Sequence, residues 1–261
     1  MCTKKCSSLV DHHPPDPHIL PAFDSTDSVV KPKRTVLYLP PLLSSFDEQA
    51  ISPNALETKL AQLTEARLPS INAASLALHQ ALHHFQPITD NYSAEPYHES
   101  FNWDDLELPE DVEGEWYIVA FRSRRKAGSE DSPLYEADRD AHAEAVSNGG
   151  LIMYWYGTPH PVTRDNMATC IWQSRADAVA AISGPAHVKA ARLAASSYEM
   201  YTLERYVLRK EIGSKKLEIE RYEAPSAKGA APESISTFHS HLASQVSGRV
   251  CPVTGASITV N

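Results

Sequence analysis

His187 lies where a histidine can take part in proton transfer. Pro185 is typical of the first position of a helix, which places His187 in the first helical turn. The positive end of the helix dipole disfavours a charged imidazole, so we expect a neutral ring that acts as a base or a hydrogen-bond donor. Alternatively, the ring has only a structural role and binds backbone at the helix start. His187 is our candidate catalytic residue.

Aromatic side chains are concentrated on three predicted strands. A sheet that carries them can stack a flat hydrophobic ligand, although ordinary core packing is the alternative for any single ring. Because side chains alternate along a strand, half of these rings must point away from any one pocket. The candidate substrate-binding residues on strands are Tyr154, Tyr156, Trp172 and Tyr117.

His142 is the remaining candidate for substrate binding. Asp138 precedes it by one helical turn, so a carboxylate can orient the imidazole; a purely structural helical pair is the alternative. His79 and His83 have the spacing of two metal ligands on one helix, but no HExxH glutamate or cysteine pair completes a site. The chain also lacks G-x-G-x-x-G, P-loop and G-x-S-x-G motifs. We therefore expect chemistry without a metal or nucleotide cofactor.

The elements that position these residues begin after Gly114, the first glycine of the chain. Alternating apolar runs predict strands over 116–122, 151–157, 167–173 and 200–211, with a fifth at 216–223. Helical patterns fall between them, over 134–148, after Ser174, and from Pro185 to Tyr198. The order β-α-β-β-α-β predicts an α+β, ferredoxin-like domain over 115–223.

The predicted sheet is apolar on both faces. Leu151, Met153 and Trp155 alternate with Ile152 and two tyrosines along a single strand. Two helices cover only one face, so the other needs a second cover. That cover is either a second copy of the chain, which gives a dimeric α+β barrel, or the N-terminal part wrapped over the sheet.

The N-terminal part is rich in proline and contains no glycine before residue 114, which favours an extended wrap with few helices. We expect disorder over 1–35 and 224–261, and an extension over 36–114. Within that extension, 36–43 suits an extended docking strip, Ser52 and Pro53 begin one helix, and 72–85 forms a second.

An acidic segment ends the extension. The chain has 24 basic and 33 acidic residues, a net charge of −9, and nine of its acids lie between Glu95 and Glu115 without a Lys or Arg. The rest of the chain is formally neutral, since 33 − 9 = 24. Interleaved Tyr97, Phe101, Trp103 and Leu106 indicate a linker pinned by aromatic anchors; a strip that docks a partner, or pairs with the basic run Arg122–Lys126, is the alternative.

The overall charge and cysteine content limit the classes of partner and compartment. An acidic chain without a basic block does not favour nucleic-acid or membrane binding. No apolar run reaches the roughly 18 residues of a membrane span. Neither a secretory signal nor a disulfide framework is evident among four cysteines, so we expect an intracellular, cytoplasmic protein.

Several runs resemble a fungal protein family of unknown function. They are LPSINAASLALHQALHHFQPIT, EWYIVAFRSRRK, GGLIMYWYGTP and the stretch from ATCIWQ to YVLRK, and together they cover 68–222. More loosely, the strand end W-x-S followed by a helix with Gly-Pro-x-His is similar to dimeric α+β barrel proteins. These include small antibiotic-biosynthesis monooxygenases, EthD-like proteins and stress-response barrel proteins. The resemblance implies a barrel fold and a cavity-lining histidine at His187.

Two functional hypotheses follow. The first is a small-molecule enzyme of secondary metabolism that oxygenates, isomerises or cyclises an aromatic or polyketide-like substrate. A cavity of about 300 Å³ or more with His187 on its wall would favour it. The second is a non-catalytic, dimeric binding module. Either way we expect a homodimer and no nucleic-acid or membrane partner.

Overall fold

The structure is a computed structural model that describes residues 17–18, 35–40, 71–128 and 132–223. The sequence predictions for most of residues 1–35, for 41–43 at the end of the docking strip, for the helix at Ser52–Pro53 and for the tail from 224 onward lie outside this range. The described residues form one antiparallel sheet with helices on one face and the N-terminal extension on the other.

The sheet has six strands. They are β1 (Val36–Tyr38), β2 (Gly114–Arg125), β3 (Leu151–Tyr156), β4 (Asp165–Trp172), β5 (Tyr198–Lys210) and β6 (Glu218–Arg221). Their order across the sheet is β1-β3-β4-β2-β5-β6, and all neighbours are antiparallel. The four middle strands have the order of a ferredoxin-like sheet, which confirms the predicted fold class. β1 and β6 extend the sheet at its two edges.

Five α-helices occur among the described residues. They are α1 (Ala73–Ala81), α2 (Tyr97–Ser100), α3 (Ser132–Asn148), α4 (Arg175–Ile182) and α5 (Pro185–Ser197). Local chemistry explains their ends. Asn72 and Ser174 accept backbone N–H groups as N-caps of α1 and α4, and Pro185 begins α5. Gly149 and Gly150 have positive φ and end α3.

β2 is longer than the sequence indicated. The predicted end of this strand at residue 122 is wrong, because β2 continues to Arg125. Arg122 and Arg124 pair with Glu204 and Asp165 on the neighbouring strands, with N–O distances of 3.0 Å and 2.7 Å. Ion pairs across strands therefore satisfy charges that local sequence would assign to a loop.

Helices α3, α4 and α5 cover one face of the sheet, and the extension covers the opposite face, which we call the extension face. Buried extension residues pack there against the sheet side chains Trp116, Ile118, Trp155, Met167 and Leu208. The extension residues of this core are Leu39, Leu78, Leu82, Phe85, Tyr92, Tyr97, Phe101, Trp103, Leu106 and Leu108. Of the two predicted covers, the structure has the wrap. A second copy could reach this face only if the extension left it.

The aromatic anchors of the acidic segment are confirmed. Phe101 stacks on Phe85 at 4.4 Å between ring centroids and meets Trp155 edge-on at 4.9 Å. Tyr97 stacks on Tyr206 of β5 at 4.8 Å. The acidic side chains of Asp104 and Asp105 remain exposed. The segment therefore holds its rings in the chain's own core and its charges in solvent.

A histidine cluster joins the start of the described chain to α1. His79 is fully buried and hydrogen-bonds through Nε2 to the Pro40 carbonyl at 3.0 Å. His18 bonds through Nδ1 to the Leu39 carbonyl at 3.1 Å, and its Nε2 lies 3.2 Å from Nε2 of His83. Burial lowers the pKa of His79 to about 4, so the ring is neutral at pH 7. These bonds hold the strip that leads out of β1.

Phe101→Ala tests whether the extension belongs to the cooperative core. Phe101 is 2% exposed, so we expect a loss of about 3–5 kcal/mol in the free energy of unfolding, measured by urea denaturation. Ile88→Ala in the same segment is the control, because Ile88 is 62% exposed and should cost less than about 0.5 kcal/mol. Equal effects of the two substitutions would mean that the segment is not part of this core.

Candidate functional site

Three polar side chains meet between α3 and β3 on the helix face of the sheet. We call Asp138, His142 and Tyr156 the Asp138 cluster. The Tyr156 hydroxyl donates to Oδ2 of Asp138 at 2.9 Å and contacts the ring nitrogens of His142, with Nε2 at 3.1 Å and Nδ1 closer. Asp138 and His142 reach the same hydroxyl because they lie one turn apart on α3.

Burial sets the protonation states of the Asp138 cluster. It raises the pKa of the Asp138 carboxyl to about 7, since a charge there loses solvation. It lowers the pKa of His142 to about 3, with a smaller effect of the same sign from His187. A neutral His142 ring has one N–H to donate to the Tyr156 oxygen, which leaves the tyrosine proton for Asp138. The carboxyl is therefore poised between its two forms near neutral pH.

Tyrosine rings surround this cluster. The Tyr154 ring lies edge-on to His142 at 3.8 Å between centroids, and the rings of Tyr198 and Tyr201 lie 5.5 Å apart. Burial raises the pKa of all three tyrosines, and the Asp138 carboxyl adds to each shift. All three rings are partly exposed. They form an aromatic wall that solvent can reach beside a titratable carboxyl.

His187 occupies a different environment from the one its sequence position predicted. Its Nδ1 lies 3.0 Å from Oε2 of Glu144, and the backbone N–H groups of Ala186 and His187 donate to the same carboxylate. Glu144 thus caps α5 from α3. Burial lowers the pKa of His187, and the hydrogen bond to Glu144 opposes this. The contacts match the structural alternative, with a carboxylate in place of the backbone partner.

Two other candidate residues lie apart from the Asp138 cluster. Tyr117 and Trp172 are cross-strand neighbours at the end of the sheet where β3 begins, packed with Leu151 and Cys170. The Trp172 indole N–H donates to the Cys170 sulfur at 3.0 Å. The structure therefore brings His142, Tyr154 and Tyr156 together but places Tyr117 and Trp172 in core packing.

Sequence reasoning did not identify Tyr198, Tyr201 or Glu144. The two tyrosines could have been found at the start of the β5 pattern, where they lie three residues apart. Glu144 is 43 residues from His187 and has no local signal. Asp138 was recognised only as a helical neighbour of His142, since its link to Tyr156 depends on how α3 packs on β3.

A cavity of about 400 Å³ lies on the other face of the sheet. Its lining includes Tyr97, Arg122, Glu204 and Tyr206 and does not include His187. From the sequence we expected an enzyme to have His187 on the wall of a large cavity, and this cavity does not meet that expectation.

Comparison with known proteins assigns the chain to a family. The sequence model of the PB2B2.08-like family matches residues 57–221, more than half of the chain. The chain belongs to the PB2B2.08-like family. This match confirms the predicted membership of a fungal family, and it includes part of the N-terminal extension as well as strands β2 to β6.

One curated relative comes from Schizosaccharomyces pombe. The UPF0643 protein PB2B2.08 is 38% identical over 97 residues, a match that covers 35% of this chain and 44% of the yeast protein. The chain thus spans under half the length of this relative.

Two solved structures show distant likenesses. A candidate antibiotic biosynthesis monooxygenase from Nitrosomonas europaea is 15% identical, with a TM-score of 0.31, over 44% of this chain and 96% of that one. SnoaB, a cofactor-independent oxygenase from Streptomyces nogalater, is 10% identical with a TM-score of 0.29, over 45% and 99%. At these scores the fold of this PB2B2.08-like protein rests on its own strand order.

Neither a membrane-spanning helix nor a metal-binding cluster is found among the residues that the structure describes. No helix among them is long and apolar enough to cross a membrane. Within the same ranges, no group of three or more His, Cys, Asp or Glu side chains has a geometry that could hold a metal ion.

Asp138→Asn tests the protonation state of the Asp138 cluster. The unfolded carboxyl titrates near 3.8 and the folded one near 7, so the folded protein loses stability as pH rises through this window. Asn stays neutral and keeps an acceptor for Tyr156. As pH rises from 5 to 8, we expect the free energy of unfolding of Asp138→Asn to increase relative to wild type by roughly 1–2 kcal/mol, with allowance for partial exposure.

Thermal unfolding across this pH range measures the effect. Asp140→Asn is the matched control, because Asp140 lies on the same helix and is exposed. If wild type and Asp138→Asn keep a constant difference in stability from pH 5 to pH 8, the carboxyl does not titrate in this window.

Proposed function

We propose that the chain is a small-molecule enzyme of secondary metabolism in which the Asp138 cluster transfers a proton to and from an aromatic or polyketide-like substrate. The observation that carries the proposal is the hydrogen bond from Tyr156 to a carboxyl whose pKa is about 7. A general base works best when its pKa lies near the operating pH. Neither a metal ion nor a nucleotide is required for this step.

The chemistry follows from the order of the hydrogen bonds. The Asp138 carboxylate takes a proton from a weakly acidic C–H or O–H group of the substrate. Tyr156 donates a hydrogen bond to the carboxylate, and His142 holds the Tyr156 hydroxyl in place for it. Isomerisation and cyclisation can proceed from the resulting enolate or phenolate, and oxygenation additionally consumes O₂.

The aromatic wall supports the choice of substrate class. The helix face of the sheet, against which Asp138 lies, presents three partly exposed tyrosine rings, those of Tyr154, Tyr198 and Tyr201. Flat hydrophobic ligands stack favourably on such rings. In this proposal Tyr117 and Trp172 support the sheet, and His187 positions α5 through Glu144. A direct role of His187 in proton transfer stays a prediction that His187→Ala tests.

The test uses 1,8-dihydroxyanthrone as substrate probe and 1,8-dihydroxyanthraquinone as binding probe. In the tested reaction the anthrone and O₂ give the anthraquinone and water, so oxygen uptake and quinone absorbance measure it. We expect Asp138→Asn and Tyr156→Phe to lower the rate at least about 100-fold, and the wild-type rate to rise through about pH 7. Asp140→Asn is the control and should retain the wild-type rate.

Three outcomes would contradict the proposal. The first is neither turnover of the anthrone nor binding of the quinone by the wild type. The second is turnover that Asp138→Asn leaves unchanged. The third is a rate that is independent of pH between 5 and 9, since the base would then titrate elsewhere.

A homodimer remains our prediction for the oligomeric state. Because the extension occupies its face of the sheet, we expect the two copies to meet through another surface. Native mass spectrometry of the purified chain should give twice the 28.8 kDa monomer mass, and it also detects a co-purified ligand. A monomer at micromolar concentration would contradict the prediction.

A further inference from the structure

The cavity of about 400 Å³ on the extension face is separate from the Asp138 cluster, which lies on the opposite face of the sheet. It opens between the start of α2 and strands β2, β5 and β6. Its volume lies within the usual range for small-ligand sites. Both charged and apolar groups line it.

The floor of the cavity is an ion pair fixed by many hydrogen bonds. Arg122 Nε lies 3.0 Å from Glu204 Oε1, and the two side chains are only 14% and 18% exposed. The Arg122 guanidinium also donates to the carbonyls of Ser93 at 2.6 Å and Glu95 at 2.7 Å. These bonds anchor the guanidinium to the extension. Because Glu204 already neutralises Arg122, the carboxylate of a ligand would not take the place of Glu204 in this ion pair.

Glu204 and Tyr206 form the polar side of the cavity. The Tyr206 hydroxyl donates to Glu204 Oε2 at 2.9 Å. Burial and the Glu204 carboxylate raise the pKa of Tyr206 to about 12, so the hydroxyl keeps its proton. Each carboxylate oxygen has a second lone pair, and Glu204 can therefore accept a further hydrogen bond from a ligand.

The rim adds a positive charge. Arg221 of β6 is exposed, and among the described residues its side chain forms no ion pair. Arg221 and Arg122 together carry two positive charges against one on Glu204, which leaves a local surplus that favours an anion. Ile219 and Pro96 line the space between rim and floor and provide apolar contact.

We infer that this cavity binds a small aromatic hydroxy acid. The ligand's carboxylate pairs with Arg221 at the rim, its ring lies against Tyr206, Ile219 and Pro96, and its hydroxyl donates to Glu204 at the floor. The site does not depend on the proposed proton transfer. It is built from α2, β2, β5 and β6, so binding requires the extension in its observed position.

Isothermal titration with three matched probes tests the ligand class. 4-Hydroxyphenylacetate has the acid, the ring and the hydroxyl; phenylacetate lacks the hydroxyl, and tyramine carries a cation instead of the acid. We expect 4-hydroxyphenylacetate to bind with a Kd at or below about 1 mM, phenylacetate at least about tenfold more weakly, and tyramine not at all. Absence of binding by the hydroxy acid, or equal binding of all three probes, overturns the inference.

Substitutions locate the binding. Arg221→Gln should weaken the binding of 4-hydroxyphenylacetate at least about tenfold, because it removes the exposed cation without disturbing the core. Arg192→Gln is the control, since Arg192 is also exposed but lies on α5. With labelled isoleucine methyl groups, the NMR signal of Ile219 should move on titration and that of Ile182 on α4 should not. An unchanged affinity in Arg221→Gln, or an unmoved Ile219 signal, places the ligand elsewhere and overturns the inference.

Asp138→Asn separates this inference from the proposed function. Asp138 lies on the opposite face of the sheet, so the variant should bind 4-hydroxyphenylacetate as wild type does. Loss of binding in Asp138→Asn would show that the hydroxy acid occupies the Asp138 cluster, and it would overturn the assignment to this cavity.

Discussion

A sheet that is apolar on both faces must be covered on both, and the rest of this structure depends on how that requirement is met. Ile118 and Trp155 point to one face while Tyr117 and Tyr154 point to the other. Three helices cover the second set, as expected for a ferredoxin-like domain. The first set is buried under a segment from the same chain, which makes the sheet the middle layer of three.

The two covers leave the faces of the sheet with different chemistry. Under the extension, ring stacking is dense, and the ion pair of Arg122 and Glu204 lies at the margin of the core. Under the helices, hydrogen-bonded polar groups lie among tyrosines that are only partly buried. Buried titratable groups cost stability when they are charged, so a protein keeps few of them without a use. Asp138 is such a group.

The elements of the fold could be predicted because their signals are local. Ser174, Pro185 and the Gly149–Gly150 pair set helix ends within a few residues, and alternating runs gave the four central strands. The identity of the second cover could not be predicted, since a second copy and an extension bury the same side chains. The strand end at Arg122–Arg125 was missed because its ion pairs come from strands distant in sequence.

The candidate site was only partly accessible to sequence reasoning for a similar reason. His142 and Asp138 lie one turn apart on α3, as their spacing predicted, but they meet through the Tyr156 hydroxyl and not directly. Tyr156 joins them because it lies on the face of β3 that packs against α3. Side chains at both odd and even positions of β3 are apolar or aromatic, so their alternation could not predict which face that is. His187 was correctly placed at a helix start. Its partner Glu144 could come only from the packing of two helices.

The position of the extension in the chain also has a consequence for biosynthesis. Residues 71–113 leave the ribosome before the central strands β2 to β5, and β5, which borders β2, is completed only at Lys210. Leu78, Phe85 and Phe101 therefore have no sheet to bury them while roughly a hundred further residues are translated. Contacts of such long sequence separation slow folding. The nascent chain thus exposes the apolar side chains of this segment for much of its synthesis, and a chaperone that binds apolar segments has a target there.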